Sequence, residues 1–439
     1  MWLQTCGVKK GEALGVAFSG GLDSTVLLHL CVCLQAVHSV YVTALHIDHG
    51  LHPHSGQWCK HCQWVAADLG VHFRSARLSP LAAQGSGLEA VARTARYRAL
   101  AKLNDGCYIV VGHHQQDQAE TVLLRLIRGS GVAGLAAMQA VSRMENNLIL
   151  RPFLSLPRQQ LQVYADDQGL EWLEDPSNTD IRYDRNCVRH RIIPLMRQMR
   201  PGVDRVLARV ASHMTQTGRL LDEIAQADLS SASADAHSHY AVAAVLDCQL
   251  LRSLSIPRRA NLLRYWVRNA LGQAPTTRQQ QTIDRLVSAG QQSGLLQLGW
   301  YSCRRYREHL HLLAQLPDVP APLSPVHFPG NRQAESSEIV LSGELTTEGG
   351  LRICEAGYEI RFRCGGESIH WCGHRRYLKG LFQRFAIPPW ERGLMPLLYV
   401  EDELVAVADL WVADSWQVDS PELAVSLHWA RATMKAPKG

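Results

Sequence analysis

Short apolar runs alternate with helically patterned segments over the first third of the chain. Residues 13–18 form an apolar run that stops at a glycine-rich turn, and 23–34 then carry helical character. Residues 40–47 are rich in β-formers, 58–69 read as a helix and 71–78 as a strand. In 88–103, Leu88, Val91, Ala92, Ala95 and Ala99 recur at helical spacing. Residues 107–111 form a continuous apolar strand and 118–127 a further helix. Strands that alternate with helices imply right-handed crossovers and a mostly parallel, doubly wound α/β sheet. Such sheets bind ligands beyond the carboxyl ends of their strands.

Two of those strand ends carry chemistry. After the first strand comes Ser19-Gly20-Gly21-Leu22-Asp23-Ser24-Thr25. Its glycines allow backbone N–H groups to approach a ligand, and the following helix points its positive end at the same place. The plainer reading is a turn with Asp23 or Ser24 as helix cap. After the fourth strand comes Gly112-His113-His114-Gln115-Gln116-Asp117-Gln118-Ala119-Glu120. Asp117 and Glu120, three apart at a helix start, have the spacing of a capping box. A carboxylate at a strand end also suits Mg²⁺ or an amine.

Other patterns fail on context. Gly129-Ser130-Gly131-Val132-Ala133-Gly134 follows a helix rather than a strand, so it lacks the setting of a dinucleotide site. Cys59 and Cys62 have metal-pair spacing, with His49, His52, His54 and His61 near by, but no second pair follows at finger spacing. The twelve cysteines, without a secretory leader in front, read as reduced thiols of a cytoplasmic protein. No uninterrupted apolar run reaches membrane-spanning length.

The charge excess is small, 45 basic against 40 acidic residues, but the arginines cluster. Arg182, Arg185, Arg189, Arg191, Arg197 and Arg200 fall within twenty residues. A second group, Arg252, Arg258, Arg259, Arg264 and Arg268, encloses Tyr265 and Trp266. The third holds Arg361, Arg363, Arg375, Arg376, Lys379 and Arg384. Arginine with aromatics suits phosphate contact and base stacking, although each cluster alone also fits a solvated face.

Ser19 to Thr25 resembles the SGGxDS loop of the PP-loop ATP pyrophosphatases. His46-Ile47-Asp48-His49-Gly50-Leu51, the run from Leu88 to Tyr97, and His113 through Met138 resemble the tRNA(Ile)-lysidine synthetase family within them. Arg151-Pro152-Phe153-Leu154, Glu174 to Asn178 with Arg185-Asn186, Tyr377 to Phe382 and Ile387 to Arg392 extend the resemblance over most of the chain. One departure stands out. The family pattern His-His-x-Asp-Asp has Gln116 at its first carboxylate here, and Asp117 at its second.

The resemblance implies ATP-dependent ligation of free L-lysine to C2 of cytidine 34 in a tRNA(Ile) with a CAU anticodon, by way of an adenylated intermediate. It implies Ser19, Gly20, Gly21, Leu22, Asp23 and Ser24 as the ATP site. Asp23 and Asp117 are the candidate Mg²⁺ or lysine-ammonium ligands. His114, Arg93 and Arg96 join them as candidate catalytic residues. Arg185, Arg189, Arg191, Arg258, Arg259, Arg375, Arg376 and Lys379 are the tRNA candidates. The expected layout is a PP-loop domain over 1–202, a mostly helical domain over 203–315, a proline-rich linker over 316–349 and a small α/β domain over 350–439, in a monomer or homodimer. Two other readings remain at this level: a PP-loop tRNA thiolase using Cys59 and Cys62, and a nucleotide-dependent RNA-binding protein without catalysis.

Overall fold

In a computed structural model, the chain divides into two compact units, Met1–Leu220 and Leu221–Gly439. The structure describes residues 6–48, 55–78, 88–104, 106–144, 146–174, 180–234, 241–288, 294–328, 330–333 and 339–431, with the side chains of 36, 55, 88–93, 324, 330–333, 339–340 and 430–431 excepted.

The first unit is built on strands β1 (Ala13–Ala17), β2 (Tyr41–Asp48), β3 (His72–Arg77), β4 (Tyr108–Val110), β5 (Val141–Met144) and β6 (Asn147–Leu150). Their order is β3-β2-β1-β4-β6-β5. Every neighbouring pair is parallel except β5 with β6. The helices between them are α1 (Leu22–His38), α2 (Ser55–Asp68), α3 (Leu88–Leu103), α4 (Gln115–Ile127) and the short α5 (Val132–Leu135), followed by α6 (Arg158–Asp167). The expected doubly wound sheet is present, and β1 to β4 with the helices between them match the sequence periodicity, whereas β5 and β6 were not foreseen.

Leu14 and Val16 of β1 are fully buried, as an interior parallel strand requires. One face of the sheet packs Phe18, Val26, Leu27, Leu28, Cys62, Val65, Leu161 and Ala165 from the loop and from α1, α2 and α6. The other packs Leu45, Ile47, Tyr97, Leu100, Ile109 and Ile149. Truncating one such residue to alanine costs about 2–5 kcal/mol. The chain runs outward from β1 through β2 to β3, then returns to place β4 on the other flank of β1. That reversal opens the crevice between the β1 and β4 carboxyl ends.

Past α6 come α7 (Asp184–Cys187), a π-helical turn over Val188–Ile192, α8 (Ile193–Met199) and the 30-residue α9 (Val203–Ala232), within which the unit boundary falls. The helix continues into its polar Ser/Ala end as far as Ala232 because Leu229 and Ala232 pack into an apolar cluster.

In the second unit, α10 (Cys248–Ser253), α11 (Ile256–Leu271) and α12 (Thr277–Ser288) pack with an antiparallel sheet of β7 (Leu246–Asp247), β10 (His309–Leu313), β9 (Tyr301–Tyr306) and β8 (Leu295–Leu298). The region expected to be mostly helical therefore contains a four-stranded sheet. Segment 316–349, expected as linker, carries β11 (Leu323–Val326), β12 (Gly330–Gln333) and β13 (Ile339–Thr346). Pro325 is tolerated because β11 is an edge strand, where its missing N–H costs no ladder bond.

The chain continues through β14 (Gly350–Leu351), β15 (Tyr358–Arg361), β16 (Ser368–Trp371), β17 (His374–Tyr377), α13 (Leu378–Arg384) and α14 (Pro389–Arg392). It finishes with β18 (Leu397–Val400), β19 (Glu403–Val407), β20 (Trp411–Val412), β21 (Gln417–Val418) and β22 (Ala424–Arg431). This part is dominated by antiparallel strands, with Phe382, Leu398, Val405, Val407 and Trp411 in its core.

Candidate active site

Ser19 to Ser24 wrap the carboxyl end of β1. Gly20 has φ +81°, and a Cβ there would lie 2.9 Å from Cys62 Sγ. Only glycine meets both conditions without strain. Gly21, not Asp23 or Ser24, is the helix cap, and it supplies no side-chain acceptor. The start of α1 is thus without a side-chain cap, an arrangement that suits an anion through the helix dipole. Ser24 instead braces the loop. Its Oγ accepts from Ser19 N at 3.2 Å, lies 3.1 Å from Ser19 Oγ and donates to Gly21 O at 2.9 Å.

Gly112, at the end of β4, closes against this loop: a Cβ there would lie 2.9 Å from Asp23 O. The close approach brings the two strand ends flagged by sequence into one site. His114 caps α4, its Nδ1 accepting from Gln116 N at 3.2 Å. Its own backbone N–H donates to Asp117 Oδ2 at 2.9 Å. The capping box is therefore His114 with Asp117, one turn earlier than the Asp117–Glu120 spacing suggested. With Nδ1 accepting, the neutral ring carries its proton on Nε2. Nε2 faces Asp23 Oδ2 at 3.6 Å and Asp117 Oδ2 at 3.5 Å.

Glu120, free of capping duty, faces two arginines of the segment that follows 180. Arg185 Nε donates to Glu120 Oε2 at 2.7 Å and its Nη2 to Asp117 Oδ1 at 2.8 Å. Arg189 Nε donates to Glu120 Oε1 at 2.6 Å. The arginines stand four apart on one helical face, and the acids three apart on another, so the spacings interlock. Burial alone would push the Asp117 carboxyl up. His114, Arg185, His113 and the His114 N–H outweigh it and hold it well below the usual carboxylate range. At Asp23 the balance reverses. Burial raises its carboxyl against the pull of His114 and Arg158.

Asp23 Oδ1 accepts no hydrogen bond, and Arg158 Nε stands 3.7 Å from it. Sequence reasoning missed Arg158, because only the packing of α6 on α1 brings it to the loop. Arg96 is half-buried on α3. The side chain of Arg93 lies outside the described residues, as do His49, His52 and His54. Cys62 is fully buried under Gly20, and burial pushes its thiol up to about 12.

The RNA candidates divide by surroundings. Arg185 and Arg189 are turned inward, while Arg191 is exposed. Arg258 pairs with the buried Asp228, and Arg259 Nε lies 2.7 Å from Asp284 Oδ1. Arg375 and Lys379 are exposed on and beside the β16–β17 hairpin. Arg376 lies over the Trp371 ring at 5.7 Å.

The first unit's residues 2–196 match the PP-loop domain family. Residues 246–311 match the TilS substrate binding domain, and 358–429 the TilS substrate C-terminal domain. The tRNA(Ile)-lysidine synthase of Legionella pneumophila (strain Paris) is 36% identical over 424 residues, covering 96% of each chain. That of Alkalilimnicola ehrlichii is 38% identical, over 92% of this chain and 91% of its own. That of Coxiella burnetii is 33% identical, over 93% and 91%. Among the described residues no helix is long and apolar enough to cross a membrane. Related from end to end to these enzymes, with a glycine loop and a histidine–carboxylate cluster meeting at one sheet crevice, the chain belongs to the tRNA(Ile)-lysidine synthase family.

Proposed function

We propose that this chain ligates L-lysine to C2 of cytidine 34 of a CAU-anticodon tRNA(Ile) at the expense of ATP, which switches the tRNA from methionine to isoleucine identity. The observation that carries this reading is the near-full-length similarity to named tRNA(Ile)-lysidine synthases. The uncapped start of α1 at the glycine loop supports it, since such a start suits ATP phosphates.

In the first step the cytidine O2 attacks the α-phosphorus of ATP. The bond to the bridging oxygen breaks and its electron pair leaves with diphosphate. In the second step the lysine Nζ bonds to C2, the C2–O bond breaks and AMP departs, while the amine loses a proton. Gly20, Gly21, Leu22 and Ser24 hold phosphate oxygens through backbone N–H groups, while the Ser19 and Ser24 hydroxyls brace the loop. Catalysis of this kind is mostly positioning and charge neutralisation.

Asp23 serves as the cation ligand, for Mg²⁺ or for the ammonium of lysine, because its Oδ1 accepts no hydrogen bond. The oxygens of Asp117 already accept from Arg185 and the His114 N–H, so Asp117 fits a metal poorly and instead fixes His114 and Arg185. Bound at Asp23, Mg²⁺ supplies neutralisation of phosphoryl oxygens. His114 presents Nε2 to the two carboxylates, 3.6 Å from Asp23 Oδ2 and 3.5 Å from Asp117 Oδ2, and acts by positioning them. Arg93 and Arg96 are proposed for the lysine carboxylate or RNA phosphate, and Arg191, Arg375, Arg376 and Lys379 for the tRNA backbone.

The test mixes the protein with ATP, Mg²⁺, labelled lysine and unmodified tRNA(Ile) bearing CAU. Alkali-stable label in RNA that requires both ATP and cytidine 34 is the expected result. Folded, ATP-binding protein that yields no such label would overturn the assignment.

A further inference from the structure

We infer that Arg158 is a diphosphate ligand of the adenylation step, which moves from Asp23 to the departing diphosphate; the inference rests on the function proposed above. The loop that receives the phosphates brings no cation of its own. Ser19, Gly20, Gly21, Leu22 and Ser24 are neutral, and Asp23 carries the same sign as the ligand. Backbone N–H groups and a helix dipole equal to about half a charge do not balance a leaving diphosphate. Arg185 and Arg189 are committed to the carboxylates of Asp117 and Glu120. Freeing them would strand a buried acid, which is costly.

Arg158 is differently placed. It opens α6 directly after Pro157, and α6 is fastened to α1 independently of the arginine. Leu161 and Ala165 lie in the core, and His29 Nδ1 meets Tyr164 Oη at 2.9 Å. The backbone that presents the guanidinium is therefore fixed beside the loop. The guanidinium itself is held weakly: its Nε stands 3.7 Å from Asp23 Oδ1, within ion-pair range but beyond a hydrogen bond, and its side chain is 45% exposed. Such a group can change partners without breaking a formed hydrogen bond. When O2 of cytidine bonds to the α-phosphorus, the electron pair of the broken bond collects on the diphosphate oxygens. A planar guanidinium then gains two charge-assisted hydrogen bonds that it lacks in the free enzyme. A group bound more tightly in the charge-separated state lowers the barrier.

The experiment uses the full chain as wild type, Arg158→Ala and Arg158→Lys. Two quantities are read: inhibition of lysine incorporation by inorganic diphosphate, and the rise in melting temperature that magnesium diphosphate gives without tRNA. The inference expects Arg158→Ala to weaken diphosphate inhibition by about tenfold or more and to lower kcat, with KM for lysine unchanged within about twofold. Arg158→Lys should recover part of the diphosphate affinity. Unchanged diphosphate inhibition and unchanged thermal stabilisation in Arg158→Ala would overturn it, leaving Arg158 as a partner that only orients Asp23. If the wild type incorporates no lysine, the function proposed above fails, and the thermal measurement still decides whether Arg158 binds diphosphate.

Discussion

His114 and Asp117 cap each other: the Asp117 carboxylate accepts the His114 backbone N–H at 2.9 Å, and His114 Nε2 stands 3.5 Å from the same oxygen. The pair anchors the start of α4, while the Gln116 N–H donated to Nδ1 sets the imidazole tautomer. It also ties that helix to Arg185, 68 residues further along the chain. One carboxylate thereby joins the β4 strand end to the helical segment that follows 180.

Asp117→Ala should abolish turnover and lower stability by about 3 kcal/mol, since it removes a cap and leaves Arg185 with a single acidic partner. The carboxyl sits below its usual value in the fold. Its stabilisation is therefore complete above the unfolded value of about 3.9 and is lost only as pH falls through the lower folded value. Denaturant titrations of Asp117→Asn should show the same deficit at pH 5 and pH 8. A deficit that vanishes at pH 5 would contradict the assignment.

Asp23→Asn should raise the melting temperature at pH 8 while it eliminates lysine incorporation. Burial raises this carboxyl, so the fold holds its proton more tightly than the unfolded chain does. The stabilisation that follows is present below the unfolded value and is lost as pH rises through the raised one. Ionised Asp23 thus costs stability at neutral pH, a cost accepted for function. The gain in Asp23→Asn should shrink on acidification, and thermal melts at two pH values decide it.

Gly20→Ala meets both the positive φ and Cys62 Sγ. A loss of about 1–3 kcal/mol and a raised KM for ATP are expected. Adding Cys62→Ala should relieve the contact but not the backbone strain, so rescue should be partial. Full rescue in the double variant would show that the dihedral angle contributes nothing.

Substitution should separate the arginines by role. Arg375→Ala and Lys379→Ala should weaken tRNA binding and reduce the slope of log affinity against log salt by about one each, at unchanged melting temperature. Arg258→Ala should lower the melting temperature because it strands the buried Asp228. Filter binding at several salt concentrations, paired with thermal melts, distinguishes the two classes.

Along the chain, local pattern identified the first four strands of the sheet and the helices between them. The apolar runs at 13–18 and 107–111 are continuous because both faces of a parallel sheet are covered, and such runs are visible without partners. The glycine loop was legible for a similar reason. A φ of +81° and a close sulfur demand glycine wherever they occur, so the requirement is written in the residue itself. The linker expected over 316–349 holds strands instead, because an edge strand such as β11 tolerates proline and the pairing of β12 and β13 depends on distant partners.

Sequence by itself determined the alternation of strands and helices, the phosphate-type loop after β1 and the family. Tertiary structure alone decided which charges meet. Arg185 and Arg189 read as RNA-facing residues in a basic stretch, yet they turn inward because Glu120 is buried and an unpaired buried carboxylate is far costlier than a solvated arginine. Arg158 reaches Asp23 only because α6 packs on α1. Periodicity and turn chemistry act between near neighbours in the chain and can be read there. Charge pairing depends on distance and burial in space, and those exist only once the sheet has closed.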